Sequence, residues 1–243
     1  MEVLGIDIGG SGIKGAIVNT DTGEFVSDRY RIETPKPATP KEITASIKKI
    51  TAFFNWKGKV GCGFPAVIQS GVIKTAANID KSCIGANANK IFSKATNCKV
   101  KVFNDADAAG FAELTFSEVK NQKGLTIFLT IGTGIGSALF KDGMLIPNTE
   151  LGHIYMKNGL VGEKYTSDAT RKEKDLDWKA WSNHFDEYLK YLEKLFYPDL
   201  FIIGGGISKK LDKISPFLTI KTKFKPAKLL NNAGIIGAAL LAK

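Results

Sequence analysis

The chain has 243 residues, 44% of them hydrophobic and 24% charged, enough for a sizeable core in one large or two small domains. No apolar run approaches the roughly 20 residues of a membrane span, so no membrane partner is expected, and the immediate entry into a strand predicts no signal peptide. Three cysteines and two histidines without metal spacing argue against tetrahedral zinc and point to reduced thiols in the cytoplasm. The formal charge of +10, carried mostly by lysine, fits either a polyanionic partner or a solvated lysine-rich surface.

In chain order, a predicted strand at 2–8 runs into Asp7-Ile8-Gly9-Gly10-Ser11-Gly12, and a second follows at 13–19. Strand, glycine turn, strand is a hairpin. Glycine also lets backbone N–H groups approach a phosphate without a Cβ in the way. A P-loop or a dinucleotide fingerprint would need a helix after the glycines, and neither hairpin loop supplies one. The proline-rich stretch 34–40 reads as a surface connection. A helix begins near Thr39, which forms a capping box with Glu42, and Pro40 suits the first helical position. Ile43, Ile47, Ile50 and Phe54 make its apolar face. Strands at 59–63 and 99–103 follow, the second ending at Asn104-Asp105, which opens a predicted helix Ala106–Glu118. Asp105 reads either as an N-cap or as a general base at the carboxyl end of a strand, where ligand sites of α/β folds gather.

The second half repeats the opening. A strand at 124–131 enters Thr130-Ile131-Gly132-Thr133-Gly134-Ile135-Gly136, and a strand at 135–140 leaves it. Glu150-Leu151-Gly152-His153 follows shortly after. A helix over 178–196 is expected to bury Trp181, Phe185, Tyr188, Leu189, Leu192, Leu195 and Phe196, and a strand at 199–203 ends in Gly204-Gly205-Gly206. Lys209, Lys210, Lys213, Lys221, Lys223, Lys225 and Lys228 come after that loop. With only Phe217 and Phe224 among them, they make a poor platform for stacked bases, so no nucleic-acid partner is expected. Ala233–Ala242 is a small-residue helix, and a domain junction falls at 110–120. The matched hairpins suggest a duplicated fold gripping a phosphate chain from two sides.

Jointly these motifs resemble the ROK family of sugar kinases, within the actin, Hsp70 and hexokinase superfamily. The strings that carry the likeness are Asp7 to Gly15, Asn104-Asp105, Leu129 to Gly136, Glu150 to His153 and Ile203 to Ser208, in family order. The resemblance implies an α/β fold of two actin-like (ribonuclease H-like) domains around a cleft. Residues 1–115 would form the small domain, with the C-terminal helix 231–243 packing back on it, and 116–230 the large one. It implies phosphoryl transfer to a hexose hydroxyl with magnesium. Asp105 matches the catalytic base, and Asn104, Glu150 and His153 match sugar-hydroxyl ligands. Glu163 matches a further sugar-binding glutamate, with Gly63, Pro65 and Asn78 as the other wall. Asp7 would hold the magnesium–phosphate group, with Gly9, Gly10, Ser11 and Lys14 at the donor phosphates. Thr130, Gly132, Thr133 and Gly134 would form the opposing phosphate loop, and Gly204, Gly205 and Gly206 a donor loop.

Many family members carry a zinc-binding cysteine cluster after the Glu-x-Gly-His motif. Segment 154–162 has no cysteine, so no zinc is expected and a backbone or carboxylate partner must orient His153. This departure, the short chain and the wording of the first hairpin are similar to the polyphosphate-dependent glucokinase branch. The expectation is a cytoplasmic homodimeric glucokinase making glucose 6-phosphate from glucose and polyphosphate, with ATP as an optional donor. The alternatives are a strictly ATP-dependent hexokinase for another hexose and a non-catalytic sugar sensor. ROK repressors carry an N-terminal DNA-binding module, whereas this chain starts at its first strand.

Overall fold

Each glycine hairpin seeds its own five-stranded sheet, and the two sheets belong to separate compact units in this computed structural model. Residues 1–157 and 159–243 are described; Asn158, in the cysteine-free segment 154–162, lies outside the described residues. One unit comprises Met1–Phe116 with Asn232–Lys243, the other Ser117–Asn231.

In the first unit, β1 (Glu2–Ile8) and β2 (Ile13–Asn19) form the hairpin, and β3 (Tyr30–Ile32) extends it antiparallel. Helix α1 (Pro40–Phe53) starts where the capping residues predict: the Thr39 hydroxyl accepts from the Glu42 amide at 3.3 Å. Ile43, Ile47 and Ile50 are fully buried. The chain then enters β4 (Lys59–Phe64), parallel to β1, and a small hairpin of β5 (Ile68–Gln69) and β6 (Val72–Ile73). Helix α2 (Ala88–Thr96) leads into β7 (Lys99–Asn104), parallel to β4, and α3 (Asp105–Phe116) leaves it. The sheet order is β3-β2-β1-β4-β7.

The second unit repeats this plan. A hairpin of β8 (Leu125–Ile131) and β9 (Ile135–Lys141) is extended by β10 (Met144–Ile146). Short helices α4 (Gly162–Thr166) and α5 (Asp168–Glu173) precede the long α6 (Trp178–Phe196). Strand β11 (Leu200–Gly205) joins parallel to β8, and α7 (Leu211–Ile214) leads to the edge strand β12 (Lys223–Pro226). The order is β10-β9-β8-β11-β12. Trp181, Phe185, Tyr188, Leu189 and Leu192 of α6 are fully buried in one core with Ile127, Leu129 and Ile203. The expected face stops there: in the last turn Leu195 is 52% exposed and Phe196 only partly buried.

Helix α8 (Ala233–Ala242) closes the first unit. Its small residues matter because backbone meets backbone. A side chain at Gly61 of β4 would run into the Ala238 carbonyl, and one at Gly237 would run into the Ala108 carbonyl of α3. Overpacking of this kind typically costs about 1–3 kcal/mol.

Candidate active site

In the first unit, the candidate residues gather at the carboxyl ends of parallel β1, β4 and β7, the edge of an α/β sheet where ligands bind. Register places Asp7 beside Gly63, and Phe64 beside Asn104. Gly63 lies against Asp105: a Cβ at Gly63 would sit 3.6 Å from the Asp105 Cα. Asn104 is buried; its Oδ1 accepts from the Asp107 amide at 2.9 Å, and its Nδ2 donates to the Ala66 carbonyl at 3.2 Å. Asn104 therefore caps α3 and ties the turn after β4 to it. This corrects the N-cap reading of Asp105: it is the first residue of the helix, directly after the capping Asn104, and Gly63 of β4 lies against its Cα. Pro65 stands half-buried in that turn, and Asn78 is exposed on the loop after β6.

The Asp7 carboxylate lies 3.7 Å from the Lys14 ammonium. Burial raises its pKa above the usual carboxylate value, and Lys14 opposes that shift. Gly234 lets α8 approach, since a Cβ there would stand 2.9 Å from the Asp7 carboxyl. The loop beyond β1 is held by the Thr34 hydroxyl donating to the Gly9 carbonyl at 2.5 Å and by Arg31 donating to the Ser11 carbonyl at 2.9 Å. A partly buried carboxylate next to a glycine loop fits magnesium, which takes one or two carboxylates and completes its shell with water and phosphate oxygens. Among the described residues no group of three or more His, Cys, Asp or Glu side chains could hold a metal unaided.

In the second unit the sequence motifs converge on one carboxylate cluster. The segment carrying Glu150 is pinned to β9: the Ser137 hydroxyl donates to the Thr149 carbonyl at 2.5 Å and accepts from the Leu151 amide at 2.9 Å. Gly152 is required because a side chain there would strike the Ile135 carbonyl. His153 then lies between two acids, with Nδ1 3.6 Å from Glu150 and Nε2 3.9 Å from Glu163. Burial raises the Glu150 pKa; His153 opposes the shift and Glu163 adds to it. Glu163 also reaches the second glycine hairpin, its carboxylate resting where a Cβ of Gly134 would be.

Helix α6 holds α4, and with it Glu163, in place. The Tyr188 ring edge would lie 2.7 Å from a Cβ at Gly162. Trp181 Nε1 donates to the Thr166 carbonyl at 3.1 Å, and the Tyr165 hydroxyl donates to Glu187 at 2.7 Å. These supports were not legible in the sequence, where the aromatics of α6 read only as core.

The second and third glycine loops meet at the ends of β8 and β11, where Gly204 pairs with Thr130 and Gly205 with Ile131. Gly205 has φ +71° and no room for a side chain against the Ile131 backbone. Gly10, Gly132 and Gly206, one in each loop, have open space where a Cβ would stand. Thr133 is exposed beside Gly132.

A profile of the ROK family matches residues 3–174. The chain is 46% identical over 238 residues to a polyphosphate glucokinase of Mycobacterium tuberculosis, covering 98% of this chain and 89% of that protein. It superposes on an inorganic polyphosphate/ATP-glucomannokinase from Arthrobacter sp. strain KM with a TM-score of 0.94 and 41% identity, over 99% of this chain and 97% of that one. A ROK family glucokinase from Streptomyces griseus, in complex with glucose and AMPPNP, shares the fold at 23% identity and a TM-score of 0.83, over 100% of this chain and 99% of that one. With its family profile and near-full-length relatives in agreement, the chain belongs to the ROK family.

Proposed function

We propose that this protein is a glucokinase that transfers a phosphoryl group from inorganic polyphosphate to the 6-hydroxyl of glucose, with ATP as a second donor. The observation that carries this reading is Glu163, whose carboxylate touches the phosphate hairpin at Gly134 and flanks His153 of the Glu150 cluster. Adjacent sugar hydroxyls are held by paired carboxylate, imidazole and amide groups, so Glu150, His153, Glu163 and Asn104 are assigned to glucose. Gly63, Pro65 and Asn78 are assigned to the sugar as well. The similarity to polyphosphate-using relatives at 46% and 41% identity supports the donor.

Phosphoryl transfer depends mainly on positioning and charge neutralisation. Asp105 accepts the proton of the attacking hydroxyl. Backbone amides around the open glycines Gly10, Gly132 and Gly206, with Gly9, Gly134, Gly204 and Gly205 shaping the turns, receive donor oxygens. Ser11, Thr130 and Thr133 add hydroxyl donors, and Lys14 adds charge. Magnesium bound at Asp7 with the donor would neutralise charge on the phosphates. Three buried free cysteines suit a reducing cytoplasm, and a homodimer is our reading of the assembly.

The test is Asp105→Asn. The amide keeps the side chain's shape and Asn104 still caps α3, so Tm and glucose binding should persist while kcat falls by about 10²-fold or more. Near wild-type turnover would remove Asp105 from the chemistry. Absence of any transfer by the wild-type protein, with glucose still bound, would make it a sugar sensor.

A further inference from the structure

Arg29, Arg31 and Arg171 are the only arginines among 34 basic residues, and two of them stand two positions apart beside the first glycine loop. Arg31 is on β3 directly opposite Lys14 of β2, and Lys14 is directly opposite Asp7 of β1. Asp7, Lys14 and Arg31 therefore form one row across three strands on one face of the sheet. Directly opposed residues of antiparallel strands have Cβ atoms about 4.5–5.5 Å apart, and like charges in such a pair are destabilising. Among the described residues Lys14 has Asp7 as its ion-pair partner, and Arg31 has no ion pair. The row thus carries one carboxylate and two cations, an excess of positive charge at the loop.

The Arg31 side chain does not extend away from this charge. It folds over the loop, with Nη2 donating to the Ser11 carbonyl and Nε 2.6 Å from where a Cβ of Gly12 would be. At Gly12 a Cβ would meet only the movable end of the Arg31 side chain, and the neighbouring Gly10 is open. Arg29 is anchored nearby, Nη1 donating to Asn232 Oδ1 at 3.1 Å just before α8. A guanidinium offers five N–H groups in a planar fork that matches phosphate oxygens, so one hydrogen bond to Ser11 leaves donors for a ligand.

We propose that Arg31 is a donor ligand, binding an oxygen of a phosphate in the polyphosphate or ATP chain. The proposal rests on the reading of residues 9–14 as the donor site. Arg31 stands at the exposed end of the row, the end remote from Asp7, so it holds a phosphate that is not transferred. Its contribution is then to donor affinity rather than to the chemical step.

The experiment compares Arg31→Gln, Arg31→Lys and Lys14→Gln with wild type, using polyphosphate and ATP at low and high salt. Arg31→Gln should raise the donor KM about 10-fold at low salt, with kcat and glucose KM within about twofold and Tm unchanged. Loss of one ionic contact should also flatten the salt dependence of the polyphosphate KM. Arg31→Lys should recover part of the affinity. An unchanged donor KM in Arg31→Gln, while Lys14→Gln raises it, overturns the proposal and leaves the donor site standing. A raised KM with an unaltered salt dependence also overturns it, since that is the behaviour of a side chain that only braces Ser11. If neither Arg31→Gln nor Lys14→Gln affects the donor, the assignment of the loop itself fails and the proposal with it.

Discussion

Gly134 and Gly162 serve the same carboxylate for different reasons. Gly134 leaves room for the Glu163 carboxylate on the β8–β9 hairpin, and Gly162 leaves room for the Tyr188 ring beneath the start of α4. From sequence alone, Gly134 reads as a phosphate-binding glycine and Gly162 has no role. Both roles depend on neighbours remote in the chain, which no local pattern encodes. Arg31 is similar: its importance comes from the strand register, although the scarcity of arginine in a lysine-rich chain was a usable signal. His153 was expected to need a replacement for zinc, and two flanking carboxylates stand there. Burying Glu150 among acids has a cost that depends on pH. Its folded pKa is raised above 4.5, so the folded state holds the proton more tightly than the unfolded chain does. Below the unfolded value the group is protonated in both states and costs nothing; above the raised value the ionised carboxylate destabilises the fold. Glu150→Gln should therefore raise Tm at neutral pH, with the gain fading as pH falls through the raised pKa toward 4.5. Glucose KM should rise by about 10-fold or more in the same variant. Thermal melts across pH decide it: an equal Tm difference at acid and neutral pH would contradict the burial argument.

Elements with strong local signals were legible, and those made by tertiary contact were not. Helix α6 has an Asp177 cap donated to by the Ala180 amide at 2.7 Å and a regular aromatic face, so its limits follow from the sequence. Helix α4 is five residues long without a side-chain cap, and it exists because Trp181, Tyr165 and Tyr188 hold it. Strand β12 was concealed because its lysines alternate with Phe224 and Pro226, and charge there read as surface. In the sheet, Lys223 and Lys225 are exposed on the outer strand, with Lys221 exposed just before it. Strand geometry spaces such side chains about 6.6–6.8 Å apart on one face. Because β12 runs parallel to β11, the row advances toward the end of β11 that carries Gly204–Gly206. Lys209 and Lys210 are exposed directly after that loop. Lysines protect an open edge in any case, but this row also suits a polyanion longer than ATP. The KM for long-chain polyphosphate should rise more steeply with salt than the KM for ATP, and neutralising Lys221, Lys223 and Lys225 together should remove the excess slope. Equal slopes for both donors in the wild type would leave the lysines as edge protection only.

At the scale of the whole molecule, the same sheet order appears twice because the same hairpin appears twice. That repetition was visible in the two glycine strings and the strands around them. The return of the chain to its first unit was harder to derive from pattern, since α8 is apolar on all sides. Its reason is steric: glycines at Gly5 and Gly61 let the helix backbone lie on the sheet, and glycine at Gly237 lets it lie on α3. The family resemblance supplied the proposed roles of Asp105, Glu150 and His153, and the structure adds their neighbours, Gly63 behind Asp105 and the two carboxylates that flank His153. The central claim is that polyphosphate itself is the phosphoryl donor for glucose. The most direct measurement is glucose 6-phosphate formation with long-chain polyphosphate and magnesium in a nucleotide-free reaction, with Asp105→Asn as the control. The account predicts sustained turnover by the wild type and loss of about 10²-fold or more in the variant. Turnover that appears only when ATP is added would contradict it.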